Sequence, residues 1–139
     1  VIKLVLYGTL KNPDLFYSVT GFHFSHEIIG YIYGKLYEIT DYTEPQKVFT
    51  YPLFIPSNDG TKVIAKEVSV DVDKYNKGAF WENLQSFEGD LYKLEVIEFY
   101  PFDEKPRKGI AYVGSSKKAK NIRIVKINTP FYSWQGGAL

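Results

Sequence analysis

VIKLVLYGTL, residues 1–10, is the stretch from which the fold can be read. Ile2, Leu4 and Leu6 alternate with Lys3, Val5 and Tyr7, and the β-branched and aromatic content suits a strand buried on at least one face and by expectation on both. The run stops at Tyr7-Gly8-Thr9-Leu10. Gly8 has no Cβ, so the chain can turn there with positive φ and a ligand can approach bare backbone N–H groups. Asn12-Pro13-Asp14 then reads as a helix start, with Asn12 as N-cap, Pro13 in the first helical position and Asp14 at the positive end of the dipole. A strand, a glycine turn and a helix start in succession suit an anionic group. A plain strand-to-helix turn also uses a glycine, so the motif alone leaves both readings open.

Working outward, Asp14 to Val19 forms a short helix with Leu15, Phe16 and Val19 inside, ended by Gly21. Phe22 to Ile39 reads as extended chain, and Gly30 and Gly34 within it predict bulges or bends that curl a sheet toward a barrel. Tyr42 to Gln46, with Pro45, is a loop. Val48 to Ile55 and Lys62 to Val72 are strands around Ser57-Asn58-Asp59-Gly60, a hairpin signal, and Pro52 suits an edge or bulge. Asp73 to Phe87 is the best helix, capped by Asp71 or Asp73. Phe80, Leu84 and Phe87 form its inner stripe, with Tyr75 and Ala79 near the same side, and Gly89 is its stop. Gly78 weakens it by about 1 kcal/mol relative to alanine. Strands follow at Leu91 to Tyr100 and Gly109 to Gly114, joined by the loop Pro101 to Lys108, and another at Ile122 to Ile127. Residues 128–139 are an irregular or fraying tail, and residues 1–139 make one domain.

The chain has 139 residues, 45% of them hydrophobic and 24% charged, the proportions of a globular domain able to bury a core. A formal net charge of +1 provides no global field for nucleic acid or an anionic membrane. There is no cysteine, which excludes disulfides, thiolate catalysis and Cys-ligated zinc and fits a cytoplasmic setting. No apolar run reaches membrane-span length and no signal-peptide pattern opens the sequence, so a membrane role is not expected. The 12 Tyr, 10 Phe and 2 Trp favour strands and aromatic-lined pockets.

Glu88 breaks a local rule. A carboxylate in the last helical turn meets the negative end of the dipole, and a glutamate tuned upward in pKa can take and return a proton near neutral pH. An exposed helix-end glutamate with no task is the plain alternative.

The pair of stretches YGTL (7–10) and L-Q-S-F-E-G (84–89) followed by Tyr92-Lys93 resembles the γ-glutamylcyclotransferase-like family, which includes the γ-glutamylamine cyclotransferases and the AIG2-like proteins. Gly34, Leu36 and Tyr37 resemble its G-x-LY strand, and Tyr51-Pro52 its Tyr-Pro step; the likeness runs from about Val1 to Val113. The chain departs from the family's usual residues at Lys66 (glycine), Gln85 (aspartate) and Lys93 (arginine).

This resemblance implies an α+β fold, a mixed, strongly curved β-sheet closing toward a small barrel with two or three flanking helices. It implies a transferase-type reaction that converts a γ-glutamyl amine or dipeptide to 5-oxoproline and free amine without a cofactor, and a small-molecule γ-glutamyl substrate as partner. Glu88 would be the general acid/base; Tyr7, Gly8, Thr9, Leu10 and Tyr92 would bind substrate. A non-catalytic small-molecule-binding or regulatory module with the same fold and pocket is the alternative, for which Gln85 and Lys66 argue.

Other constellations are weaker. His23 and His26, three apart on an extended chain, point to opposite faces, so no shared metal is expected. Ser25 beside His26 lacks a nucleophile elbow. Lys117, Lys118, Lys120, Arg123 and Lys126 with Phe131, Tyr132 and Trp134 have the ingredients of a nucleic-acid surface, but a solvated face fits the near-neutral total better. The aromatic surface and tail could support a homo-oligomer, and nothing demands one.

Overall fold

The computed structural model describes residues 1–44, 47–58, 60–89, 91–114, 122–127 and 131–132, with the backbone alone for 38–52 and 122–132. The elements run β1 (Ile2–Leu6), a 3-10 turn (Thr9–Lys11), α1 (Pro13–Thr20), β2 (Phe24–Glu44), β3 (Lys47–Pro56), β4 (Thr61–Val70), α2 (Lys77–Glu88), β5 (Tyr92–Pro101), β6 (Arg107–Gly114), β7 (Ile122–Ile127) and β8 (Phe131–Tyr132). No helix among the described residues is long and apolar enough to cross a membrane.

β1 is buried on both faces. Leu4 and Leu6 join Phe16 of α1, Phe80 and Leu84 of α2, and Val68 and Val70 of β4 in a core beneath the helices. Val5, with Tyr7 just beyond the strand, joins Ile32, Leu36, Phe54, Val63, Ala65, Phe99 and Val113 in a second core enclosed by the sheet. The period-2 alternation of one strand thus feeds two cores. Each fully buried aliphatic or aromatic side chain contributes roughly 1.5–3 kcal/mol.

The strands follow the order β1-β4-β2-β5-β6, with β3 and β7 on β2 and β8 on β4. Pairing is antiparallel except for β8, which runs parallel to β4 at Lys62 and Val63. The sheet curls until β6 returns to β1. Among the described residues no ladder joins these two strands; packing and a bond from Tyr7 Oη to the Tyr112 carbonyl at 2.8 Å bring them together. This is the mixed, nearly closed α+β barrel expected, with two α-helices.

Several local expectations are corrected. Gly8 has φ −109°, so the turn after β1 does not use left-handed backbone. The bulges of β2 lie between Ser25 and Ile28, where His26 has φ 52°, and between Asp41 and Glu44. At Gly30 and Gly34 the glycines instead admit close approach, since a Cβ would collide with Tyr100 O and with the Phe54 ring, respectively. β2 extends through Tyr42 to Glu44, and Pro45 and Gln46 lie outside the described residues.

Asp59 of the expected Asp59-Gly60 hairpin lies outside the described residues, and among the described residues β3 and β4 do not pair with each other. β3 and β4 instead pair with successive parts of β2, and Gly34 is opposite both Pro56 and Thr61. A Cβ on Gly60 would strike the Gly34 backbone, so the connection packs against bare main chain there. Pro52 lies on β3, whose described sheet partner is β2 alone, a position that tolerates its missing N–H.

Helix starts and stops follow local chemistry. Asn12 Oδ1 accepts from the Asp14 and Leu15 amides at 2.9 and 3.2 Å, and Gly21 closes α1 at φ 78°. Asp73 caps a turn before α2, accepting from Tyr75 N at 3.0 Å and Asn76 N at 3.1 Å, so the helix begins at Lys77. Its inner stripe also differs: Phe80 and Leu84 are buried, but Phe87 is 40% and Tyr75 89% exposed, and Ala79 is exposed. At about 100° per residue, Leu84, Glu88 and Trp81 lie roughly 40°, 80° and 100° round from Phe80, while Phe87 falls about 20° the other way. The buried arc centres beyond Leu84, putting Glu88 inside it and Phe87 at its rim. Residues 131–132 form β8; the rest of the expected tail and the side chains of the basic cluster lie outside the described residues.

The glycine environments separate packing from helix propensity. Gly34→Ala should lower unfolding free energy by about 1–3 kcal/mol through overpacking. Gly78→Ala, on α2 with nothing within 4 Å of the added carbon, should raise it by up to about 1 kcal/mol. Urea unfolding of both variants checks the opposed signs.

Candidate functional site

The site forms where the turn after β1, the end of α2 and strands β5 and β6 meet. Leu10 from the turn, Leu84 from α2, Tyr92 from β5 and Tyr112 from β6 belong to one core. Two segments far apart in sequence, the YGTL turn and the end of α2, are therefore packed together. Leu10's side chain is 4% exposed and fills this core, so Leu10 can offer a ligand only its main chain. Gly8 and Thr9 remain partly accessible.

Glu88 is the last residue of α2, and Gly89 closes the helix at φ 77° with its N–H on Gln85 O at 2.9 Å. Part of the residue surface is open, but the carboxyl group is largely enclosed, and burial pushes its pKa up to about 7. It makes no hydrogen bond or ion pair with a described residue. Among the described residues the one buried side-chain polar atom lacking a partner is Arg107 Nε. A largely enclosed carboxyl half-ionised near neutral pH can take and return a proton.

Two tyrosines, Tyr7 and Tyr112, feel its charge. Burial, then Tyr92, then Glu88 raise the Tyr7 phenol well above its ordinary pKa. Burial and then Glu88 push Tyr112 up to about 12. Tyr7's proton is committed to the Tyr112 carbonyl at 2.8 Å, and the Phe54 backbone faces the same phenol oxygen. Such a phenol left without that partner would cost about 1–3 kcal/mol. Tyr112 went unrecognised from sequence because a tyrosine within an apolar strand looks like any core residue. Only the curl of β6 toward β1 and α2 puts its hydroxyl near Glu88.

The departures at Lys66, Gln85 and Lys93 also have structural accounts. Lys66 points to the helix-covered side opposite Leu6, pairs with Glu27 and lies 4.5 Å over the Phe24 ring. The bulge at His26 delivers Glu27 to it, which offsets much of the cost of burying an ammonium. Gln85 is exposed and donates to Gly89 O at 3.3 Å, so it supports the helix end. Lys93 faces away from the core and pairs with Glu95 at 3.4 Å.

The other candidates are not assembled. His23 stacks on Tyr17 at 4.1 Å, while His26 shares a 3.0 Å hydrogen bond with Ser25 Oγ on the bulge. Among the described residues no cluster of His, Cys, Asp and Glu could hold a metal.

No family model and no curated protein matches the chain. Solved structures do match its shape. The allophanate hydrolase of Kluyveromyces lactis aligns with TM-score 0.59 at 13% identity, over 89% of this chain and 19% of that one. The urea amidolyase of the same organism aligns with TM-score 0.57 at 15% identity, over 89% of this chain and 7% of that one. This chain thus spans only a small part of either enzyme. A gamma-glutamyl cyclotransferase aligns with TM-score 0.56 at 10% identity, over 82% of this chain and 66% of that one. The chain has a γ-glutamyl cyclotransferase-like fold.

Glu88 has a pH signature. Its acid form is favoured in the folded state, so its contribution to stability is fully present below the unfolded value near 4.5 and is lost as pH rises to about 7. The change should be on the order of 3 kcal/mol. Glu88→Gln should abolish this slope and be the more stable protein at pH 8, as measured by urea unfolding across pH 4–8.

Proposed function

We propose that the chain is a γ-glutamyl cyclotransferase that converts a γ-glutamyl amine or dipeptide into 5-oxoproline and the free amine. The observation that carries this reading is the Glu88 carboxyl, largely enclosed, without a partner among the described residues, pushed by burial up to about 7 and close enough to Tyr7 of the YGTL stretch to raise its phenol. The fold shared with a gamma-glutamyl cyclotransferase supports it.

In this reaction the α-nitrogen forms a bond to the substrate's own side-chain carbonyl carbon, and the bond from that carbon to the leaving nitrogen breaks. Both partners sit in one molecule, so holding the glutamyl chain folded supplies much of the acceleration. Ionised Glu88 carries two protons in turn from the α-nitrogen, the first from the ammonium to free its lone pair and the second as the ring C–N bond forms, to the leaving nitrogen, which departs as an ammonium, so the proton count closes with no external acid or base. Main-chain N–H groups of Gly8, Thr9 and Leu10 hold the glutamyl group and the oxygen that becomes negative in the tetrahedral intermediate. Tyr7 and Tyr92 wall the pocket. A glutamate with a pKa near the working pH suits both halves of the proton transfer.

A second reading, ligand binding without chemistry, is favoured by Gln85, whose exposed amide adds no charge beside Glu88. The two readings separate on incubation with γ-glutamyl amines and dipeptides while 5-oxoproline is followed. The enzyme should form it from at least one member, and Glu88→Gln should lower kcat by about 100-fold or more. No product from any member favours the binding module, and undiminished turnover by Glu88→Gln removes Glu88 from its role.

A further inference from the structure

The chain contains no cysteine and no methionine, so among its 139 residues the side chains that give up an electron most readily are 12 tyrosines and 2 tryptophans. Three of the phenols are gathered on the outward face of the sheet. Tyr31 and Tyr100 stack at 5.3 Å with their planes 6° apart. Tyr33 meets Tyr31 at 5.3 Å and Tyr100 at 5.1 Å, edge to face in both cases. All three are half-buried, so each keeps contact with solvent. Tyr17 and Tyr75 are exposed, yet among the described residues neither packs on a second phenol. The cluster also spans a short ladder, in which β2 meets β5 at Gly30 opposite Pro101 and Tyr31 opposite Tyr100.

We propose that this cluster is a site of oxidative modification, at which a peroxidase-type oxidant joins Tyr33 to Tyr100 by a carbon–carbon bond and so ties β2 to β5. Each phenol loses one electron and its hydroxyl proton. The two phenoxyl radicals pair through ring carbons ortho to oxygen, and the hydrogen on each of those carbons moves to its own ring oxygen, which restores both hydroxyls. Hydrogen peroxide, acting through a haem peroxidase, takes up the two electrons and two protons as two waters. Two features select this pair. An ortho–ortho link places both rings between the β-carbons, which is wider than the roughly 4.5–5.5 Å of directly opposite residues such as Tyr31 and Tyr100 and suits the roughly 7–8 Å of diagonal neighbours such as Tyr33 and Tyr100. Lys62 Nζ lies 5.0 Å from the Tyr31 ring centre and 5.8 Å from that of Tyr33, and a cation over a ring face holds its electrons, so Tyr31 is the hardest of the three to oxidise. A radical on a lone phenol must wait for a second molecule, whereas these rings are already in contact.

Treatment of the dilute protein with hydrogen peroxide and a haem peroxidase tests this. The expected product is a monomer lighter by two hydrogen atoms, with dityrosine fluorescence and a proteolytic fragment in which Tyr33 is joined to Tyr100. Tyr33→Phe and Tyr100→Phe keep the ring packing, and each should lower the fluorescence per chain roughly fivefold or more, since the remaining exposed phenols couple only between molecules. Tyr31→Phe should retain more than half of it. The wild-type fragment map reads the linked residues directly, whatever the variants do to folding. A link mapped to other residues, a link that survives Tyr100→Phe, coupling between chains alone, or no coupling under conditions that couple free tyrosine overturns the proposal.

Discussion

The first strand has to satisfy two cores at once, and the rest of the architecture follows from that requirement. Its even positions pack under α1 and α2, while Val5 lies inside the sheet. A strand with no polar face needs cover on both sides, so the sheet must curl on one side and carry helices on the other. The curl returns β6 to β1 without a ladder, and the buried Tyr7–Tyr112 bond ties the two where β1 ends. Both tyrosines of that bond feel the charge of Glu88, so closing the fold also builds the candidate site.

Two carboxylates on opposite sides of this sheet show how context separates structure from chemistry. Glu67, 3% exposed, points into the space enclosed by the sheet and accepts from Arg107 at 2.8 Å, while Arg107 also bonds Glu104. The guanidinium is held above its ordinary pKa by these hydrogen-bonded partners, Glu67 first, and remains charged. Glu88, a less buried residue whose carboxyl is nonetheless largely enclosed, has no cation among the described residues. Glu67 is a satisfied ion pair, whereas Glu88 bears its desolvation alone, the local conflict that functional sites retain.

One outward face of the sheet carries a second aromatic assembly. Tyr31 stacks on Tyr100 at 5.3 Å, Tyr33 and Phe102 pack against Tyr31, and Lys62 lies 5.0 Å over the Tyr31 ring. Tyr31 and Tyr100 are opposite one another in the β2–β5 pairing, and Lys62 is opposite Tyr33. Cross-strand pairs of this kind stabilise a sheet from its outer side by roughly 0.2–1 kcal/mol each. They supply a structural role for three of the chain's 12 tyrosines.

Local chemistry determined what local sequence can. β1, the Asn12 cap, the Gly21 and Gly89 stops and the strand Ile122–Ile127 all follow from side-chain alternation, hydrogen-bonding caps or backbone freedom within a few residues. Glu88 was legible as an anomaly because a helix end has a sign. Tertiary structure alone decided which side of α2 faces inward, hence that Glu88 replaces Phe87 on the buried arc. It also decided that β3 and β4 pair with one shared strand, β2, and that Tyr112 comes near Glu88. Helical phase is set by the surface a helix meets, and strand partners by chain crossings tens of residues apart, so neither is encoded in the spacing of neighbouring residues.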